Sequence, residues 1–291
     1  MITFSQLGKY GRLGNQLFQY AALRSLSLRK GYECKIPDPN TMEWHGQKCL
    51  MDQFNIKASF LKEEDYSKIL YKYHEPFSNK ADRNFSFLGD GVDIHGYFQS
   101  YEYFKDFEKE IIEELTPNDI LLNNASKIFN SIKEKDTEIV SLHIRRGDNQ
   151  DGTNPKYSDF YGKNDTLTDS SEYGKYLKQT FEIFKDKKVK YLVFSGGTRV
   201  KKGSNLSDIE WCKANIKGNN IIYSEGLSDI MDFTLMTLCD HNVVCHLSSF
   251  GYWSAILNKN KNKIVVAPRD YSLGADNRTD NGFYPKEWRV I

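Results

Sequence analysis

The sequence predicts an α/β protein of two domains, the second built on a parallel sheet. Three observations lead there. Beyond about residue 135, apolar runs of strand length alternate with helical periodicities. At the N-terminus a short strand, a Gly-rich turn and a helix follow one another. The length, 291 residues, is long for one hydrophobic core and comfortable for two ordinary domains.

Taken in order, ITFSQL at 2–7 reads as a strand and GKYGRLGN at 8–15 as a turn. LFQYAALRSLSLRKG reads as a helix, because Phe18, Ala22 and Leu26 recur at i, i+4 and i+8 with Leu17 and Ala21 beside them. Gly31 suits its C-cap. Residues 32–90 mix short apolar pieces with polar turns and show no dominant period. GVDIHGYFQS (91–100) reads as a strand running into a loop. KDFEKEIIEELTP (105–117) reads as a helix with Phe107, Ile111 and Leu115 inward, stopped near Pro117.

The polar segment NASKIFNSIKEKD marks a domain boundary near 125–136, giving domains 1–130 and 131–291. EIVSLHI (138–144) then has the composition of a buried strand. A long polar stretch precedes a helix at 171–185, with Tyr173, Leu177, Phe181 and Phe184 on one face and Asp169 and Glu172 placed to cap its start. Strands at 190–197, 221–226, 242–247 and 263–268 alternate with helices at 207–215, 228–240 and 249–260. Such alternation implies parallel strands joined by right-handed crossovers.

Charge and cysteines narrow the function classes. Forty basic and 39 acidic residues give a net charge of +1, so nothing drives the chain as a whole toward nucleic acid or an anionic membrane. The five cysteines are widely spaced, with no C-x-x-C, which reads as reduced thiols of a cytoplasmic protein without a structural zinc site. MITFSQLGKYGRLGN lacks the basic-then-apolar pattern of a secretory signal, and no apolar run of about 18 residues exists. The expected location is the cytoplasm, in solution or held peripherally at the inner membrane, with no stable membrane insertion.

In open α/β sheets ligands bind beyond the carboxyl ends of strands, and three clusters fall there. The sharpest is His143-Ile144-Arg145-Arg146-Gly147-Asp148. An Arg-Arg pair alone is commonly a solvated surface pair, and a lone His a satisfied core residue. At a strand end, neighbouring arginines point apart, so one can meet a ligand while the other supports it. A guanidinium fork matches phosphate oxygens bidentately, which lysine cannot do. The second cluster, Ser248-Ser249-Phe250-Gly251-Tyr252-Trp253, opens a helix whose free N–H groups form an anion site; Ser248 on its own would be no more than an N-cap. The third, Gly11-Arg12-Leu13-Gly14-Asn15-Gln16, is neither G-x-G-x-x-G nor a Walker sequence, and taken alone is a tight turn.

Absences weigh as well. There is no D-x-D to hold a metal on a nucleotide diphosphate, no H-E-x-x-H and no G-x-S-x-G. The missing G-x-G-x-x-G disfavours a nicotinamide oxidoreductase. If a diphosphate is the leaving group, arginines must neutralise it.

Together the clusters resemble glycosyltransferase family 11, the bacterial α-1,2-fucosyltransferases. GRLGNQLFQYAAL (11–23) is similar to that family's opening motif, DIHGYFQSYEYF (93–104) to its second block and HIRRGD (143–148) to its H-x-R-R-x-D signature. DFTLMTLCDHNVVCHLSSFGYW (232–253) with VVAP (265–268) resembles its C-terminal block. Four blocks in family order span nearly the whole chain. Two departures are visible: Gly196 and Gly197 stand where the family usually has two acidic residues, and Ser-Phe-Gly-Tyr-Trp stands for the usual S-F-S-W-W.

The resemblance implies a GT-B fold, two Rossmann-like domains facing a central cleft, the first on the acceptor side and the second binding the nucleotide sugar. It implies an inverting transfer of L-fucose from GDP-fucose to the 2-hydroxyl of a terminal β-galactoside in an oligosaccharide or lipid-linked glycan, with no required metal. By carry-over Arg145 and Arg146 bind the diphosphate, His143 and Asp148 shape the same site, and Ser248, Ser249 and Phe250 complete the nucleotide pocket. Gly14, Asn15 and Gln16 face the cleft from the first domain. Asp148 is the candidate proton acceptor, and the polar segment 149–170 the expected acceptor edge. The alternatives are a transferase of the same architecture using another sugar nucleotide, and a non-catalytic nucleotide- or glycan-binding protein.

Overall fold

The computed structural model describes residues 1–146, 160–162, 166–196, 206–274 and 277–291. Asp148, Gly147, Gly197 and most of the expected acceptor edge, 149–159 and 163–165, lie outside the described residues. The chain divides into two compact units, Met1–Leu121 with Ala275–Lys286, and Leu122–Gly274 with Glu287–Ile291.

The first unit carries β1 (Ile2–Thr3), α1 (Leu13–Lys30), β2 (Cys34–Ile36), β3 (Glu43–Trp44), β4 (Gln47–Lys48), β5 (Ser59–Phe60), β6 (Tyr71–His74), β7 (Val92–His95) and α2 (Glu108–Glu114). Its sheet runs in the order β5-β2-β1-β7-β6, and every pairing in it is parallel. β3 and β4 form a separate antiparallel pair. The first strand is shorter than its apolar run suggests: it ends at Thr3, and Phe4 and Leu7 are buried in the turns that follow. α1 begins earlier than the periodicity indicates, so Gly14, Asn15 and Gln16 form its first turn. It ends where expected, with Gly31 at φ 69°, a left-handed C-cap that glycine adopts without a Cβ penalty. The expected helix at 105–117 starts as a 3₁₀ turn, Lys105–Phe107, and becomes α-helical only at Glu108.

A helix, α3 (Asp119–Ile132), runs through the polar segment expected to be a boundary; the division between units falls inside its first turn, after Leu121. Spacing explains why a polar sequence is helical here. Ala125, Ile128, Phe129 and Ile132 form one apolar stripe that packs on the sheet of the second unit.

That unit continues with β8 (Glu138–Ile144), α4 (Glu172–Ile183), β9 (Val189–Ser195), α5 (Asp208–Asn215), β10 (Ile221–Tyr223), α6 (Asp229–Leu238), β11 (His241–Val243), α7 (Ser249–Leu257), β12 (Val265–Ala267) and β13 (Arg289–Val290). The sheet order is β10-β9-β8-β11-β12-β13, all parallel. Counted within the unit this is 3-2-1-4-5-6, the doubly wound dinucleotide-binding order, and it reverses between β8 and β11. Each predicted strand and helix of this half is present, generally shorter by a residue or more at its ends. α4 is capped by Ser171, whose Oγ accepts from the Gly174 N–H at 3.1 Å, and not by Asp169 as expected.

Side-chain alternation along β8 builds both faces of the core. Val140, Leu142 and Ile144 point to one face, with Tyr173 and Leu177 of α4 and Trp211 of α5. Ile139 points to the other, with Leu235 and Met236 of α6. His143, two steps from Ser141 and four from Ile139, therefore lies on the α6 side.

Candidate active site

The reversal between β8 and β11 is where an open α/β sheet binds its ligand. β8 delivers His143, Arg145 and Arg146 to that point, and the segment after β11 delivers Ser248, Ser249 and Phe250. The turn into α7 is strained: Leu247 sits at φ 53°, a region that non-glycine residues enter at a cost of order 1–3 kcal/mol. Ser248 follows as the N-cap and accepts from the Gly251 N–H at 3.1 Å. No acidic residue occupies the first turn of α7, so the positive end of its dipole is not neutralised by a carboxylate of its own.

His143 is buried, and its Nδ1 lies 3.0 Å from Ser248 Oγ. That oxygen accepts from Gly251, and Nδ1 is the acceptor within reach of its single hydrogen, so we assign the hydroxyl hydrogen to Nδ1. Nε2 is then the protonated, donating nitrogen. Burial, helped by the charge of Arg145, pushes the imidazole pKa down to about 3, so the ring is neutral. It packs against Phe250, centroids 5.6 Å apart, and Phe250 in turn against Phe233 at 5.1 Å.

The two arginines occupy different surroundings. Arg146 is 1% exposed. Its guanidinium lies over the Trp211 ring at 3.9 Å and the Tyr161 ring at 5.2 Å, and its Nε is 3.5 Å from the buried Asp208 carboxylate at the start of α5. Arg145 is partly exposed; its backbone is fixed by an N–H bond to Cys245 Sγ at 3.2 Å and by the Tyr161 hydroxyl donating to its carbonyl. Arg146 is thus built into the wall of the site, and Arg145 stands at its edge. Asp208, Trp211 and Tyr161 are contributors that sequence reasoning passed over. Asp208 and Trp211 fall in the segment read only as a helix at 207–215, where Ser207 and Glu210 form a capping box, and Tyr161 falls in the long polar stretch.

Of the first-unit candidates, Asn15 Oδ1 accepts from Gln99 Nε2 at 2.7 Å, and Gln99 Oε1 from Arg278 at 2.7 Å. Gln16 is spent locally: its Nε2 donates to Gly11 O at 3.2 Å and its Oε1 accepts from the Leu50 N–H at 3.3 Å. Gly14 is buried in the first turn of α1. Asp148 lies outside the described residues.

The chain matches the description Glycosyl transferase family 11 over residues 5–291. It belongs to glycosyltransferase family 11. Among its relatives, O-antigen biosynthesis glycosyltransferase WbnK of Escherichia coli is 26% identical, over 91% of this chain and 93% of that one. Galactoside alpha-(1,2)-fucosyltransferase 2 of Gorilla gorilla gorilla is 26% identical, over 85% of this chain and 67% of that one. Among solved structures, fucosyltransferase NodZ from Bradyrhizobium is similar with a TM-score of 0.51 at 10% identity, covering 87% of this chain and 91% of that one. At that identity the likeness bears on the fold, and it agrees with the two-sheet α/β class.

One glycine of each departure in this family 11 member has a steric reason. A Cβ on Gly196 would stand 2.9 Å from Asp208 Oδ2, in the space this chain gives to the carboxylate beside Arg146. A Cβ on Gly251 would stand 2.9 Å from His143 Nδ1, against the imidazole that Ser248 holds. Among the described residues, no group of three or more His, Cys, Asp or Glu side chains is placed to share a metal ion, and no helix is long and apolar enough to cross a membrane.

Proposed function

We propose that the protein transfers L-fucose from GDP-fucose to the 2-hydroxyl of a terminal β-galactoside, with inversion at the anomeric carbon. The second unit holds the donor and the first the acceptor. The observation that carries this reading is the gathering of Arg145, the His143 Nε2–H and the first turn of α7 at the reversal of a 3-2-1-4-5-6 sheet. The name of the galactoside alpha-(1,2)-fucosyltransferase relative supports the choice of sugar and linkage.

In the reaction the acceptor hydroxyl oxygen forms a bond to the anomeric carbon, and the bond from that carbon to the β-phosphate oxygen breaks. The transition state is oxocarbenium-like, and negative charge grows on the departing diphosphate. Arg145 meets that charge with a forked pair of donors, and the α7 N-terminus adds backbone N–H groups already oriented. Arg146, stacked on Trp211 and paired with Asp208, keeps the loop after β8 in place. His143 stays neutral and donates, so it stabilises developing charge without giving up a proton.

The test is turnover. Purified protein, GDP-fucose and a β-galactoside should yield GDP and a product whose new linkage is α-1,2 by NMR. GDP release with another sugar nucleotide and none with GDP-fucose would point to a different donor. Tight GDP binding with no transfer to any glycan would make the protein a binding module.

A further inference from the structure

The first unit holds a cavity of about 510 Å³ beside the last two turns of α1. Every residue that lines it belongs to this unit. α1 leaves the carboxyl end of β1 and returns the chain to the amino end of β2. These turns therefore lie away from the strand ends where an open α/β sheet takes a substrate. Ser25 and Arg29, at i and i+4, share the helix face that forms one wall. A second wall is the loop 80–86. It is fixed by Asp82, whose Oδ2 accepts from the Tyr73 hydroxyl at 2.7 Å and whose N–H donates to the Tyr103 hydroxyl oxygen at 3.0 Å. A third is the chain after β7, joined to the returning segment by Ser100 Oγ, which donates to the Gly282 carbonyl at 3.0 Å. Gly282 sits at φ 75°, and a Cβ there would stand 2.5 Å from Glu102 Cγ, so the close approach needs glycine.

Ser25 is 1% exposed and lines the cavity, and its hydroxyl makes no hydrogen bond among the described residues. A buried hydroxyl without a partner is costly, so its partner comes from the cavity. The charges point the same way. Arg29 is paired with Asp106, and Lys105 with Glu102 at 2.7 Å. Arg83 and Lys80 are exposed and have no carboxylate partner among the described residues; Lys80 lies over the Phe77 ring at 4.4 Å. Phe85 and Tyr103, both buried, meet edge-on at 4.9 Å and supply apolar lining.

The cavity falls within the range of small-molecule sites, roughly 300–1,000 Å³, and exceeds what an inorganic ion fills. Two cations without counter-charges suit an anion. The carboxylates of Glu102 and Asp106 keep lone pairs beyond their single ion pairs; these accept hydroxyl hydrogens and would repel a polyphosphate. A ligand with several hydroxyls and one anionic group meets both demands. We propose that the first unit carries a saccharide site of its own, in which Arg83 and Lys80 meet the carboxylate or phosphate of an acidic sugar residue. Ser25 Oγ, Glu102 and Asp106 pair with that residue's hydroxyl groups. This site goes beyond the transferase reading and does not rest on it.

Ligand-observed NMR and calorimetric titration of the full chain test it, with methyl glucuronide, glucose 6-phosphate, methyl glucoside and inorganic phosphate as probes. An acidic sugar should bind with a Kd in the millimolar range or below. The neutral glucoside and inorganic phosphate should bind at least about tenfold more weakly. The glucuronide set against the sugar phosphate tells which anion the site takes. Lys80→Gln combined with Arg83→Gln should weaken the acidic sugar by roughly tenfold or more, the worth of a charge-assisted pair. Ser25→Ala should weaken it by roughly three- to tenfold, the worth of one hydrogen bond. Neither variant should lose melting temperature or GDP affinity. The proposal is overturned if neither acidic sugar binds the parent, if the glucoside or phosphate alone binds as tightly, or if the variants bind like the parent. A parent that binds the acidic sugar and transfers no fucose leaves this site standing while the function reading fails.

Discussion

At the β8–β11 reversal the chain gathers donors and positive charge: Arg145, a neutral imidazole donating from Nε2, and the first turn of α7. At the ends of the adjacent strands β1 and β7 it gathers acceptors: the Asp93 carboxylate, the lone pair of His95 and the Glu75 carboxylate. Both sheets are parallel, and only the second reverses its strand order, between β8 and β11; the first runs β5-β2-β1-β7-β6 with no such reversal beside its first strand. The backbone plans differ, and so do the side chains at the strand ends, donors in the second unit and acceptors in the first. The two histidines show how environment sets role. His143 is tied at Nδ1 by a hydroxyl and left to donate; His95 is tied at Nε2 by a carboxylate and left to accept.

The comparison breaks most visibly if Arg146 is removed. Its guanidinium is enclosed by Trp211, Tyr161 and Asp208, so Arg146→Met leaves a buried carboxylate without its ion-pair partner. A loss of about 3–5 kcal/mol in unfolding free energy is expected, measured by urea titration. A stable Arg146→Met protein that has lost GDP would make Arg146 the phosphate ligand and Arg145 the support.

Arg145→Lys comes next. The charge stays and the fork goes, so turnover should drop by roughly 10²–10³, the cost of losing one donor to a developing charge, with an unchanged melting temperature. Steady-state kinetics beside a thermal melt decide it. Turnover equal to the parent would remove Arg145 from the diphosphate.

A milder change probes the imidazole of the second unit. Gly251→Ala places a Cβ 2.9 Å from His143 Nδ1 and forces ring and helix start apart. Overpacking of this kind costs about 1–3 kcal/mol. Stability and GDP affinity should fall together, by urea unfolding and calorimetric titration; a silent substitution would mean that the Ser248–His143 bond has no part in the site.

Much of the second unit was legible in the sequence because its strands are buried on both faces and read as continuous apolar runs, such as EIVSLHI and KYLVFS. The first unit was not, since all five of its sheet strands are two to four residues long and lie among 3₁₀ turns. Arg145, His143 and Ser248 were visible as a motif at a strand end. The Asp208 partner of Arg146 was hidden because the pair spans 62 positions and only folding joins it. Asp93 and His95 stood in a quoted block, yet two residues apart on a strand they share a face without showing that they bond.

Acidification distinguishes buried histidines from exposed ones. Burial lowers both His143 and His246 from 6.5 to about 3. The unfolded chain therefore binds more protons than the folded one between those values, and stability falls as pH drops below 6.5, by about 1.4 kcal/mol per pH unit for each fully engaged group. Asp232, raised to about 6 by burial, works in the opposite sense between 3.8 and 6 and offsets one of them. His246→Phe should therefore unfold with a shallower acid slope than the parent, by about one group's worth. Parallel slopes in urea titrations between pH 6 and 4 would show that His246 is not held neutral by the fold.

The smallest expected effect is that of chelation. A nucleoside diphosphate leaves with its charge growing at the β-phosphate, and something must meet it. The sequence has no D-x-D to bring a divalent ion to that position, whereas Arg145, the His143 Nε2–H and the α7 N-terminus lie at the one strand reversal of the second sheet. If these groups are sufficient, adding a cation contributes little to the transition state. Turnover in excess EDTA should then lie within about twofold of turnover in Mg²⁺, a difference of about 0.4 kcal/mol in barrier. Both rates should be taken at saturating GDP-fucose, so that metal bound to free donor does not enter. Loss of most activity in EDTA, restored by Mn²⁺, would mean that a metal carries the charge here assigned to Arg145, and the contrast between the two sheets would have to be redrawn around it.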